Sequence, residues 1–384
     1  MSERPAPIRT DGSNAFARHS MAVRVPGILQ EVIERNPDYP PSIKDALRRL
    51  QDDLVGDAPL RLPVPPEPDC DLWARRFEAH RGETWLGAEW FFSEMLIYRL
   101  VLEACRYWAT LRDPFRPFKQ EEMETEALWT TLEAACAAEG SLEERLERRL
   151  TATLWGNRID LSMKQVVQQG TEAQDDHLLA NDIPDAVGHL LSEGPGEVHL
   201  VMDNAGTEQA LDFALADLLL DARVARRVTL HVKMQPVLVS DVIVDDLYRL
   251  LEAMRARGGD AAALARRLCE HLDAGRLRVA PDFFWNTDGR LWELPPRLQA
   301  ALRGARLVVT KGDVNYRRAT NDALWPEGTP LAEAVGDFPA PLLVLRTLKS
   351  DTLVGVDPAR MAELDARARD WRTSGTYGVA QFAG

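Results

Sequence analysis

From Trp155 onward the chain alternates two textures, and that alternation restricts its fold more than any other feature. Short β-rich runs, VHLVMD (198–203), VTLHVK (228–233), LRVA (277–280), RLVVTK (306–311) and PLLVLR (341–346), are separated by amphipathic stretches such as EQALDFALADLLLD and VDDLYRLLEAMRARG. Strands alternating with helices predict an α/β fold, a three-layer α/β/α sandwich around a largely parallel sheet. Ahead of it, PSIKDALRRLQDDL, TWLGAEWFFSEMLIYRLVLEACRYWATL and the segment 121–150 carry apolar residues at helical spacing. They predict a helical N-terminal domain. The expected division is a flexible lead-in over 1–20, a helical domain over 21–154 and the sandwich, carrying any catalytic site, over 155–384.

In open parallel sheets ligands bind outside the carboxyl ends of the strands. The residues there are Asp203-Asn204, then Ser240-Asp241 after HVKMQPVLV, then Lys311-Gly312-Asp313-Val314-Asn315, then Arg346-Thr347-Leu348-Lys349. Any single pair reads equally well as a helix cap or turn, and Asp203-Asn204 does precede a helix pattern. Four polar strand ends in succession are harder to explain as separate caps. A hard divalent cation takes carboxylate, carboxamide and water oxygens. Asp203, Asn204 and Asp241 offer three such ligands, and lysines at neighbouring strand ends suit a phosphate that the ion neutralises only in part. Glu208, one helical turn on, is placed to accept a hydrogen bond from a substrate hydroxyl.

Other readings have less behind them. GPG at 194–196 precedes a strand and makes no GxGxxG fingerprint, and neither a GxxxxGK[ST] loop nor a GxSxG elbow occurs. His231 and Lys233 lie inside a strand run, where a packed, hydrogen-bonded role for His231 is simpler than that of a base. Trp85, Trp90 and Tyr98 read as core, and NTDGR (286–290) as a turn. The net charge of −14 argues against nucleic acid or an anionic membrane as partner. No run approaches the roughly 18 apolar residues of a membrane span, and no apolar leader opens the chain. Four cysteines without CxxC spacing fit reduced thiols in a cytoplasmic protein.

These segments resemble the metal-dependent damage-control phosphatases, long called domain of unknown function 89, in their third subfamily. The resemblance is carried by TWLGAEWFFSEMLIYR, LWGNRIDLS, VMDNAGTE, HVKMQPVLVSDV, VVTKGDVNYR with a following NDALW, RTLK and WRTSGTYGVAQF, in that order. It implies a divalent metal held by Asp203, Asn204 and Asp241, with Mn²⁺ first and Co²⁺, Ni²⁺ or Mg²⁺ as substitutes. It also implies that Glu208, the Lys311–Asn315 loop (Lys311, Gly312, Asp313, Asn315) and the Arg346–Lys349 motif face a small phosphorylated metabolite. The chain departs from the family pattern at Thr207, where an aromatic is usual, and at Val237-Leu238, where Trp-Phe is usual. Smaller side chains there predict a roomier pocket, completed by the helical domain, and a preference shifted away from simple hexose phosphates. The alternative is S-adenosylmethionine-dependent methylation of protein carboxyl groups, a role attributed to some relatives. No glycine-rich loop follows the first strand to receive that cofactor. A silent scaffold leaves three mutually repelling carboxylates unexplained.

Overall fold

The structure is a computed structural model, which describes residues 4–137, 139–156 and 176–384. The LWGNRIDLS motif, from its asparagine onward, lies outside the described residues. Seven strands form one sheet: β1 (Leu178–Asn181), β2 (Gly196–Val201), β3 (Ala225–Lys233), β4 (Leu277–Asp282), β5 (Leu307–Lys311), β6 (Leu342–Thr347) and β7 (Gly378–Ala383). Their order is β1-β7-β6-β5-β2-β3-β4. All neighbours are parallel except β6 and β7. The five strands read from the sequence are all present. β1 and the antiparallel β7 are additions: β1 has only four residues, and in β7 (GVAQFA) a glycine and a glutamine interrupt the apolar run.

Alternation along the strands supplies both faces. Leu307 and Val309 of β5, with Leu343 and Leu345 of β6, enter one core, while Val308, Leu342 and Val344 enter the other. Two buried faces make near-continuous apolar strands.

The cap has its own core. In α1 (Val25–Arg35) the buried residues are Val25, Leu29, Val32 and Ile33, and in α2 (Pro41–Val55) Ile43, Leu47, Leu50 and Leu54. Both are one-sided stripes at helical period. They pack on α3 (Trp90–Ala104), buried without interruption from Trp90 to Leu102 because it runs through the middle of the cap. α4 (Arg116–Met123) closes this part.

Two sequence expectations fail here. Residues 7–10 are no loose lead-in: Ile8 and Thr10 are buried, and bridges join Pro7 to Ala323 and Arg9 to Glu89. The boundary expected near residue 154 lies earlier, between α4 and α5 (Glu126–Cys136). Leu128 and Leu132 of α5, with Leu146, Leu150 and Leu154 of α6 (Leu142–Trp155), pack in the sandwich core beside α7 (Ile183–Leu191) and α8 (Thr207–Asp221). Their i, i+4 stripes fit α8, which is buried over nearly its whole length.

His199 on β2 and His231 on β3 are buried, with Nδ1 of one 2.9 Å from Nε2 of the other. Burial, with His199 adding to it, depresses His231 to about 3. Below the ordinary histidine value of about 6.5 the unfolded chain takes up a proton that folded His231 refuses. Stability is therefore expected to fall as pH drops from about 6.5 toward 3, by at most about 1.4 kcal/mol per unit for this site. Urea unfolding midpoints between pH 7 and 4 should decline less steeply for His231→Gln than for wild type; equal slopes would contradict the assignment.

Candidate active site

β2 leads to β3 on one side, whereas β5 lies on its other side and leads to β6, so the chain parts between β2 and β5. A crevice opens at such a switch point, beyond the carboxyl ends of both strands. Asp203-Asn204 follows β2 there, and Lys311-Gly312 closes β5 and opens α9 (Gly312–Ala319).

Asp241 arrives by another route than the sequence suggested. β3 ends at Lys233, and the loop after it doubles back to the strand end. Asn204 and Asp241 form an antiparallel bridge, Val242 N donates to Asp203 O (2.8 Å) and Ala205 N to Ser240 O (2.7 Å). Leu238 (φ 51°) and Val239 (φ 70°) turn this loop through left-handed backbone, an uncommon conformation for a β-branched residue. Asn286 fixes its base, accepting from Met234 N (2.8 Å) and donating to Gln235 O (2.7 Å). The NTDGR segment is therefore a buried support for the loop rather than a plain turn.

Asp203, Asn204, Glu208 and Asp241 are all buried. Asn204 Nδ2 donates to Asp203 Oδ2 (2.8 Å) and Glu208 Oε2 (3.0 Å), and Ser240 Oγ donates to Asn204 Oδ1 (2.5 Å). Burial, then the charges of Glu208 and Asp241, push the Asp203 carboxyl well above its ordinary range. Burial also raises Asp241, against the pull of Lys233.

Lys233 Nζ is 3.0 Å from Asp241 Oδ2 and donates to Met202 O (2.9 Å). Nevertheless Asp241 Oδ2 has no hydrogen-bonded donor: the lysine contact is an ion pair by distance, not a directed bond. Asp241 has Lys233 as its charge partner, but Asp203, buried beside Glu208 and Asp241, has no ion pair among the described residues, and that arrangement fits a cation. Among the described residues no three or more Asp, Glu, His or Cys side chains form a metal cage. Two aspartates and a carboxamide are a sparse oxygen set, which would suit only an ion that also keeps water and substrate oxygens. Presenting Asn204 Oδ1 to such an ion requires its amide to turn over, since Nδ2 now faces Asp203.

The remaining predicted residues divide. Lys349 is exposed and lines the cavity, as do Glu208, Gly312 and Asp313. Lys311 does not line it: buried, its Nζ lies between Glu208 Oε1 (2.9 Å) and Asp212 Oδ1 (2.8 Å). Burial opposes the Lys311 charge, but the two carboxylates outweigh it and raise the amine above its ordinary range. Asn315 is buried, donating to Lys311 O (2.7 Å). Arg346 is also buried, donating to Asp313 Oδ1 (2.7 Å) and Ser350 O (2.8 Å). Asp313 in turn accepts from Lys349 N (3.1 Å). Lys311, Asn315 and Arg346 thus hold the groups that face the cavity instead of facing it themselves.

The cavity measures about 450 Å³, and the cap contributes Phe16, Arg24, Ile28, Trp90, Glu94 and Tyr98 to its wall. Of the three departing positions only Leu238 lines it. Val237 packs into the cap core, and Thr207 is buried with its N–H on Glu122 Oε1 (2.9 Å). Sequence reasoning also missed Lys233, because an alternating strand gives a paired lysine no signal.

Gly312 sits at φ 83°, and a Cβ there would collide with the Asp203 carboxylate. Gly312→Ala is expected to lower kcat/KM by about 10²-fold or more by displacing Asp203. Steady-state kinetics beside a far-UV melt checks this, and wild-type kinetics would contradict the close packing.

A family model described as the damage-control phosphatase ARMT1-like domain matches residues 20–364. Damage-control phosphatase ARMT1 of Bos taurus is 29% identical over 436 residues, covering 99% of each chain. The Mus musculus protein of that name is 29% identical over 100% of each chain. That of Danio rerio is 26% identical, over 99% of this chain and 97% of its own. A solved DUF89 family protein from Pyrococcus horikoshii superposes with TM-score 0.51 over 94% of this chain and 97% of its own, at 15% identity, a likeness of fold alone. The chain belongs to the damage-control phosphatase ARMT1-like family.

Proposed function

We propose that this chain is a divalent-metal-dependent phosphomonoesterase of the cytoplasm that acts on small phosphorylated metabolites, sugar phosphates or damaged side-products. Mn²⁺ is the expected ion, with Co²⁺, Ni²⁺ or Mg²⁺ able to replace it. The observation that carries the reading is the meeting of Asp203, Asn204 and Asp241 at one end of a metabolite-sized cavity that an exposed Lys349 also lines. Membership of the damage-control phosphatase ARMT1-like family points the same way.

Asp203, Asn204 and Asp241 would hold the ion, which when bound supplies Lewis-acid polarisation of a phosphoryl oxygen. Lys349, without a partner for its amine among the described residues, places a second positive charge where the phosphate's charge develops. Glu208 lines the cavity with Oε2 accepting from Asn204 and Oε1 paired with Lys311, and a substrate hydroxyl is its proposed further partner. The cap closes over the strand ends and limits water at the reacting centre. The methyl-transfer alternative gains no observation here: β2 ends on interlocked polar side chains, not on a glycine-rich turn.

Phosphate release from a panel of esters, by metal-stripped protein with each ion restored singly, tests the proposal. Hydrolysis that needs the ion supports it. Hydrolysis indifferent to metal, or none on any ester, overturns it.

A further inference from the structure

Ser20–Arg24 forms one π-helical turn between the helix Ala15–His19 and α1, with Val25 N donating to Ser20 O. Pro26 has no N–H for the Ala22 carbonyl, so the backbone widens by a residue just before it. With that residue inserted, Arg24 falls on the cavity wall beside Phe16 and Ile28.

Its guanidinium is anchored but not used up. Nε and Nη2 donate to Ser20 Oγ (3.2 and 2.9 Å), and Nη2 also to Glu94 Oε1 (2.7 Å). Nη1 has no hydrogen bond among the described residues, and the side chain is 48% exposed. Glu94 has no oxygen to spare, because Oε2 accepts from Arg317 Nη1 (2.5 Å). Arg317 is closed off in its turn by Asp322 (2.8 and 3.0 Å) and lies 3.8 Å over the Trp90 ring. The cap therefore brings one cation with a spare donor to the cavity, and the strand ends bring another in Lys349.

One phosphate beside the aspartates uses Lys349 and leaves Arg24 unexplained. We propose that Arg24 is a specificity-determining residue that binds a second anionic group of the substrate. The preferred substrates are then short phosphomonoesters carrying a carboxylate or a second phosphate at the end away from the ester that is cut. This rests on the phosphatase reading above. With Nε and both N–H groups of Nη2 engaged, the charged guanidinium presents Nη1 and its two free N–H groups to the oxygens of either anion, a charge-assisted contact that a neutral polyol does not match.

Matched esters test it: 6-phosphogluconate, its neutral counterpart glucitol 6-phosphate, and fructose 1,6-bisphosphate against fructose 6-phosphate, each with Mn²⁺. Wild type should favour the doubly anionic member of at least one pair by about tenfold or more in kcat/KM, mainly through KM. Which pair shows the larger ratio tells carboxylate from phosphate. Arg24→Met should shrink that ratio to about threefold or less, and Arg24→Lys should retain part of it. Melting curves confirm that both variants fold. Equal or reversed preference in wild type, or equal loss on both members of a pair in Arg24→Met, overturns the assignment while leaving the phosphatase reading standing. Failure to hydrolyse any of the four with Mn²⁺ overturns the assignment, whereas the wider ester panel with each ion decides the phosphatase reading separately.

Discussion

Asp203→Asn is expected to cut metal-dependent kcat/KM by about 10³-fold or more, while the metal-free variant melts at or above the wild-type temperature. The two effects share one cause. Asp203 is 7% exposed and its carboxyl is driven upward by burial and by Glu208 and Asp241. A neutral amide of the same shape relieves that repulsion and removes the charge an ion needs. Added Mn²⁺ should raise the melting temperature of wild type by mass action and leave the variant nearly unmoved. Melting curves with and without Mn²⁺, beside phosphate release, give both readings. A variant that is inactive and markedly less stable would show Asp203 to be a structural group instead.

Lys233→Met should have the opposite signature, a loss of about 3–5 kcal/mol in the metal-free protein. Lys233 is 1% exposed, and its ammonium is the cation next to the buried Asp241. Methionine fills the volume but leaves that carboxylate without its charge partner. Lys119 reaches only the Asp241 carbonyl oxygen (2.9 Å), its charge being shared with Asp246 (2.8 Å). Mn²⁺ should then stabilise Lys233→Met more than wild type, since the ion supplies the missing positive charge. Urea denaturation with and without metal measures this. A loss below about 1 kcal/mol would mean that Asp241 is not held by this pair.

What the sequence made legible follows from where each signal is stored. Short, near-continuous apolar runs at 198–203, 228–233 and 306–311 mark strands because both faces are buried, and the positions just after β2 and β5 follow from the parallel topology. That rule points to Asp203, Asn204 and Gly312, and all three line the cavity. Asp241 was found too, but for an incomplete reason, since a returning loop rather than a strand end delivers it. Lys311, Asn315 and Arg346 were placed beside the site but assigned the wrong direction: which way a side chain leaves a strand end depends on partners such as Asp212 and Ser350, distant in sequence or in a loop. The roles of Lys233, Asn286, Arg24 and Glu94 leave no signal in the sequence, because each is acquired only when the cap or a loop closes on the sheet. Thr207 and Val237 were expected in the pocket wall, but Glu122 and the cap core claim them first.

Asp203, Asn204 and Asp241 are proposed to hold one catalytic divalent ion. Titrating Mn²⁺ into chelator-stripped protein while following both bound metal and phosphate release tests it most directly. The expected result is binding that saturates near one ion per chain, with turnover rising in step, and neither in Asp241→Ala. Full turnover in the presence of chelator, or unchanged metal binding in Asp241→Ala, would contradict it.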